Sequence, residues 1–313
     1  MENKRTNNAN TWLGEPTAAN ASGLAFSLAC VLPSVFAIVM LAVLSIAGVT
    51  VTDDAPLPDW YVYLNFLLPQ AAFGVTIWLF LRYRNIPLRQ AVSKQKCKTK
   101  YLAIALLLQI GLLSLSELNA WFLQFLGKFG YQDAGITLPS MDGFGFVGVL
   151  VCVAVLPALM EEIFFRGVLL SGLQSFGKWG SILLCGTLFS LYHQNPAQTL
   201  YQFCCGVAFA LVAVRAGSIL PTVLAHFFNN ALIIVLFKCG VTSFNGTWLT
   251  IELCVSIICL LVALVWLFVL DKEKEQKQSA ETEKNQRKNF FVAAALGIAV
   301  CALSWLAMLI GGL

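Results

Sequence analysis

Two adjacent carboxylates and an arginine lie in an otherwise apolar run, Leu156-Pro157-Ala158-Leu159-Met160-Glu161-Glu162-Ile163-Phe164-Phe165-Arg166-Gly167. A charge at the centre of a bilayer costs about 2.5–3.5 kcal/mol even on lenient insertion scales, so three together in a lipid-like sequence need partners and a task. On a helix, Glu162 and Arg166 are four apart and meet on one face, whereas Glu161 is turned by about 100° onto another. Glu162 is then neutralised locally and Glu161 is presented across the bundle. The competing reading puts each charge at a membrane edge, its stem in lipid and its head in water.

The chain has two histidines. His193 closes Phe189-Ser190-Leu191-Tyr192-His193, and His226 opens His226-Phe227-Phe228-Asn229-Asn230. The spacing of four stacks Phe189 beside His193 and Asn230 beside His226. One buried histidine reads as a hydrogen-bonded packing residue; both histidines of a protein, each in an apolar span downstream of the carboxylates, read as parts of a site. Counted inward from the polar boundaries at about 1.5 Å per residue, Glu161, His193 and His226 lie roughly 20, 22 and 16 Å deep. They can therefore share one level.

The elements that position them are membrane helices. The 313 residues are 58% hydrophobic and 12% charged, with a mean hydropathy of +0.78, against about 25% charged residues in soluble domains. The expected fold is an all-α polytopic transmembrane bundle of about nine spans, at roughly 23–49, 60–81, 101–126, 144–172, 180–194, 197–214, 218–237, 248–270 and 290–312. Asn195-Pro196 gives an N-cap followed by proline at the first helical position. The chain divides into 1–141, a polar tail with three accessory helices; 142–240, a core carrying the motifs; and 241–313, two helices joined by a charged linker at 271–289. The last span reads as an appended anchor. Ten cysteines without a Cys-x-x-Cys read as packing residues.

No signal-peptide pattern precedes the first span. With the amino terminus in the cytoplasm, 18 of the 20 Lys and Arg fall on the cytoplasmic side, leaving Lys128 and Lys238 outside. Nine crossings then put the carboxyl terminus outside. The net charge of +4 reports this topology and not nucleic-acid binding. Asp53, Asp54 and Asp59 fall in the first outer loop.

Glu-Glu-x-x-x-Arg at 161–166, Phe-x-x-x-His at 189–193 and His-x-x-x-Asn at 226–230, in order on successive spans, resemble the three motifs of the CPBP family. That family includes the type II CAAX prenyl proteases and the Abi or bacteriocin self-immunity proteins. The resemblance covers about 142–240. It implies an integral membrane protein, in a bacterial plasma membrane, that hydrolyses a peptide or protein substrate inside the lipid bilayer. The outlets it implies are CAAX-type processing, peptide maturation or bacteriocin immunity. It also implies that Glu161 and His193 activate water, that His226 and Asn230 stabilise the oxyanion, and that Arg166 holds Glu162. Glu161, His193 and His226 are equally the ligand set of a catalytic zinc with water in the fourth position. No His-Glu-x-x-His is present, and metal-independent chemistry is the favoured expectation.

Two other classes compete. A transporter or cation relay would spread its acids along a path, with repeats and broken helices, and no internal repeat is visible. A non-catalytic scaffold would keep the motifs without activity. Glu117, near Ser114, Ser116 and Asn119, and Glu252, near an interface, read as cavity-lining or solvated groups.

Overall fold

The computed structural model describes residues 19–49, 51, 56–92, 96–133, 135–241, 243–271 and 283–313. The amino-terminal polar run, Asp53, Asp54 and linker residues 272–282 lie outside the described residues.

The described chain is helical throughout, as apolar spans must be, since only internal hydrogen bonds satisfy the backbone in lipid. In order come α1 (Ala19–Ile46), α2 (Asp59–Arg84), the short α3 (Leu88–Val92), α4 (Thr99–Leu112) and α5 (Leu115–Gly127). A second group forms one continuous helical rod: α6 (Phe144–Val149), a widened π stretch (Leu150–Val155), α7 (Leu156–Glu162), a second π stretch (Ile163–Leu169) and α8 (Leu170–Gly172). Then follow α9 (Gly177–Tyr192), a single 3-10 turn at Pro196–Gln198, α10 (Thr199–Ala216), α11 (Leu220–Lys238), α12 (Gly246–Val265) with a π stretch at Trp266–Leu270, and α13 (Glu283–Gly311).

Eight helices among the described residues are long and apolar enough to cross a bilayer. The ninth expected span, 180–194, is α9, which at 16 residues is about 24 Å long and falls short of the roughly 30 Å hydrocarbon layer. It still counts as a pass. Ser27 Oγ on α1 donates to the Ala293 carbonyl on α13 at 2.7 Å, and the Cys30 and Cys301 thiols meet at 3.3 Å. Residue numbers rise together along this pair, so α1 and α13 are parallel. First and last helices of an alternating bundle run parallel only when the passes are odd in number.

α13 is therefore part of the bundle and not an appended anchor. A Cβ at Gly23 would meet the Phe290 carbonyl at 2.5 Å, and one at Gly297 would meet Ser27 Cα at 2.8 Å. Small residues four apart let the two backbones touch, the usual means of helix association in lipid.

At the other end of the chain order, Asp271 gathers three helices. Lys100 Nζ donates to its Oδ1 at 2.5 Å and Tyr101 to its Oδ2 at 2.7 Å, while Arg215 Nη1 donates to its carbonyl at 2.7 Å. Burial pushes the Asp271 carboxyl up, but the hydrogen bonds from Lys100 and Tyr101 and the charges of Lys100 and Arg215 outweigh it and hold it below the usual aspartate range. This latch ties the ends of α4, α10 and the α12 extension.

Replacing Gly297 with Leu is expected to lower the thermal midpoint in detergent, at a cost of about 1–3 kcal/mol for overpacking. The Asp271 latch sets a pH dependence of its own. The folded carboxylate binds its proton less readily than the unfolded one, so its stabilisation is full at neutral pH and fades as pH falls below about 4. Thermal scans across that range should show Asp271→Asn flattening the dependence, by no more than about 1 kcal/mol because Lys100 is partly in solvent.

Candidate active site

Glu161 and Glu162 end α7, between the two π stretches. A π turn re-aims the side chains that follow it, and such turns collect at functional sites. The wider turn still leaves residues four apart on one side. Arg166 Nη1 donates to Glu162 Oε1 at 2.7 Å, and neither side chain has any exposure. The expected ion pair is present at full burial.

Arg166 is held further by groups that no spacing rule would supply. Its Nη2 donates to the Gly206 carbonyl on α10 at 3.2 Å. Its Cζ stands 4.4 Å from the centroid of Phe189 and 5.4 Å from that of Phe209. The approach depends on two glycines: a Cβ at Gly206 would meet Gly186 Cα at 2.8 Å, and one at Gly186 would meet Val207 N at 2.7 Å. With neither present, α9 and α10 close on each other and bring the Gly206 carbonyl within reach of the guanidinium. A desolvated guanidinium needs such satisfaction, since an unpaired buried charge is far costlier than a paired one.

Both glutamates then address a single imidazole on α11. His226 Nδ1 is 3.0 Å from Glu162 Oε1, and His226 Nε2 is 4.0 Å from Glu161 Oε2. A carboxylate accepts, so Nδ1 carries the hydrogen on that side; this assignment follows from the partners. The sequence expectation had Glu162 committed to Arg166 alone. It also anchors the histidine. Glu161 Oε2 is buried without a hydrogen-bond partner.

His193 sits at the end of α9, half-buried, with Nδ1 2.8 Å from the Phe189 carbonyl. A carbonyl only accepts, so Nε2 is the unprotonated nitrogen. The tie from His193 to the others is the Phe189 ring, whose centroid lies 4.8 Å from that of His193 and 6.1 Å from that of His226. After His193 the chain turns through Gln194, at φ 54°, into the Asn195 cap. This reversal comes at the end of a short helix, so its polar groups need partners at membrane depth. Asn195 Oδ1 accepts from Ala197 N at 2.8 Å, Asn119 Nδ2 donates to the Ala197 carbonyl at 2.9 Å, Ser190 Oγ donates to the Thr199 carbonyl at 2.8 Å, and Trp305 Nε1 donates to Thr199 Oγ1 at 2.9 Å.

Asn230 is joined to the rod that carries Glu161: its Nδ2 donates to the Val153 carbonyl, in the first π stretch, at 3.0 Å. Its neighbour Asn229, set aside by motif reading, is the better connected. Asn229 Oδ1 accepts from Gln109 Nε2 at 2.7 Å and from Tyr201 OH at 2.8 Å. Gln109 is a polar residue in the run Ala105-Leu-Leu-Leu-Gln109-Ile-Gly-Leu, and that alone could have flagged it. Glu252 accepts from Ser256 Oγ at 3.0 Å and has no link to the site.

Among the described residues, no group of three or more His, Cys, Asp or Glu side chains is placed to hold a metal ion. His193 and His226 share the Phe189 ring, and Glu161 faces His226. A cavity of about 300 Å³ opens between α9, α10 and Trp305, and none of Glu161, His193, His226 or Asn230 lines it.

Residues 143–232 match the family described as type II CAAX prenyl endopeptidase Rce1-like. The matched segment begins at the rod, ends in α11 and contains Glu161, Glu162, Arg166, His193, His226 and Asn230, leaving α1–α5, α12 and α13 outside it. At the level of the family it supports an intramembrane protease of the CAAX type, a hydrolase whose substrate is a protein or peptide in a lipid setting. The comparisons with curated proteins and with solved structures give no match.

Arg166→Met strands a buried carboxylate and is expected to lower stability by about 3–5 kcal/mol. Adding Glu162→Leu should recover part of that loss, because a buried pair replaced by apolar groups is often close to neutral. Chemical unfolding of both variants in detergent measures the difference.

Proposed function

We propose that this protein hydrolyses peptide bonds of a membrane-associated or lipidated substrate by metal-independent glutamate chemistry. The observation that carries the proposal is the facing pair, Glu161 Oε2 and His226 Nε2, 4.0 Å apart with the carboxylate oxygen otherwise unpartnered. One water bonded to both at about 2.8 Å spans such a gap.

In the proposed reaction Glu161 and His226 take a proton from that water as its oxygen attacks the scissile carbonyl. One O–H bond breaks, one C–O bond forms, and the carbonyl oxygen becomes the oxyanion. The second hydrogen of Asn230 Nδ2 and the Nε2–H of His226, once protonated, stabilise that oxyanion; donors fixed in advance in a water-poor site are a large source of acceleration. The oxyanion then collapses to a carboxyl group, the scissile C–N bond breaks, and the proton held by the pair passes to the nitrogen of the leaving amine. His193, its Nδ1–H committed to the Phe189 carbonyl, keeps Nε2 as an acceptor beside the ring that it shares with His226. Glu162 and Arg166 touch no reacting atom and act as positioning residues for His226.

A proton or cation relay would need acids strung along a path. Glu161 and Glu162 instead converge on one imidazole, which favours hydrolysis. The cation-rich face, with Arg82, Arg84, Lys178 and Arg215, is taken as cytoplasmic by the positive-inside rule.

The test uses the full chain in proteoliposomes with a prenylated peptide ending in a CAAX sequence. Wild-type protein is expected to cleave it, before and after chelator treatment, and Glu161→Gln to lose at least about 100-fold in kcat. Full activity of Glu161→Gln would sink the mechanism, and loss of wild-type activity to chelation would sink its metal independence.

A further inference from the structure

The Asn229–Asn230 amides do not stand alone. They end a chain of side chains that starts on α4 and α10, outside the motifs, and its donor and acceptor order can be worked out from one fixed point. That point is the Val153 carbonyl, which can only accept. Asn230 must therefore turn Nδ2 toward it, at 3.0 Å. Its Oδ1 then faces Asn229 and accepts from Asn229 Nδ2 at 3.1 Å. Asn229 Oδ1 is left facing the other way, where it must meet donors. It meets two: Gln109 Nε2 at 2.7 Å and Tyr201 OH at 2.8 Å.

The triangle closes because the second N–H of Gln109 donates to the Tyr201 oxygen at 3.1 Å, which leaves the single phenolic hydrogen for Asn229. No amide in the chain can flip alone without setting two donors or two acceptors against each other. If all of them flip together, an oxygen of Asn230 faces the Val153 oxygen. The order is held although it leaves Gln109 Oε1 buried without a partner, and Gln109 has no exposure at all.

We infer that Gln109 and Tyr201 are positioning residues for the reaction, fixing through Asn229 which atom of the Asn230 amide faces the reacting carbonyl. This rests on the oxyanion role proposed for Asn230. With Nδ2 locked on Val153, the second hydrogen on the same nitrogen is the one available to substrate. If the amide flipped, it would offer a carbonyl oxygen to a developing negative charge. Two helices that carry none of the motif residues facing the carboxylates would in this way govern the sign of a dipole at the reaction centre.

Gln109→Glu reverses the order at its source, since a carboxylate facing Asn229 Oδ1 cannot donate. It is expected to lower kcat about tenfold with KM nearly unchanged, against about 100-fold for Asn230→Ala. Tyr201→Phe removes one of the two donors without adding charge, gives a smaller loss of the same kind, and decides the matter if Gln109→Glu fails to fold. In the Asn230→Ala background either change should alter kcat by less than about twofold, because residues acting through one group are not additive.

A second readout does not need activity. In protein with 15N-labelled asparagine, the side-chain amide resonance lost in Asn230→Ala belongs to Asn230, and Gln109→Glu or Tyr201→Phe should shift it. Additive kinetic losses, or an Asn230 resonance unmoved by both variants, would overturn the relay. An active Asn230→Ala protein, or wild-type protein that cleaves nothing, would instead overturn the proposed function, and the resonance alone would then judge the relay.

Discussion

Everything at the centre of this bundle depends on burying the Glu162–Arg166 pair without leaving either charge unsatisfied. A guanidinium out of water has five N–H donors to place and a carboxylate has two oxygens to fill. The chain meets part of this demand with a bare backbone carbonyl at Gly206, two aromatic faces and the Nδ1–H of His226, while Arg166 Nε and Glu162 Oε2 stay buried without a hydrogen-bond partner. Each solution brings another helix to the same spot. The ion pair therefore works less as a source of net stability, which buried pairs rarely supply, than as a fixed post around which the rod, α9, α10 and α11 are registered.

The irregular backbone falls where this registration needs it. The π stretches flank the glutamates, and their carbonyls receive bonds from other helices: Val153 from Asn230, Phe165 from the Cys185 thiol at 3.5 Å, and Val168 from Ser22 at 3.0 Å. The short α9 has the same effect by other means, placing His193 at a chain reversal whose polar atoms are met by Asn119, Ser190, Asn195 and Trp305.

Much of this could be read from residues in a line. The Glu162–Arg166 contact follows from a spacing of four, and the apolar runs marked the helices to within a few residues. Of the motif residues, Glu161, Glu162, Arg166 and His226 meet directly, and His193 reaches them through the Phe189 ring. What could not be read was which atom of each residue is used. That Glu162 serves Arg166 and His226 at once depends on the angle between the rod and α11, which no pattern along one helix records. Two features were legible and passed over. Gln109 stood out as an amide among leucines, and Ala293, Gly297 and Cys301 recur every fourth residue in α13, a stripe of small side chains that fits a neighbouring backbone better than it fits lipid.

The parallel seam between α1 and α13 gives the molecule a direction in time as well as in space. During synthesis α1 is made well before α13, with Gly23 and Ser27 shaped for a helix that has yet to appear. Until α13 arrives, that seam faces acyl chains, and Gln194, beside His193, has no Cys301 sulfur to meet at 3.7 Å. A chain that has not yet reached α13, although it already holds every charged residue of its centre, is thus still open along this seam.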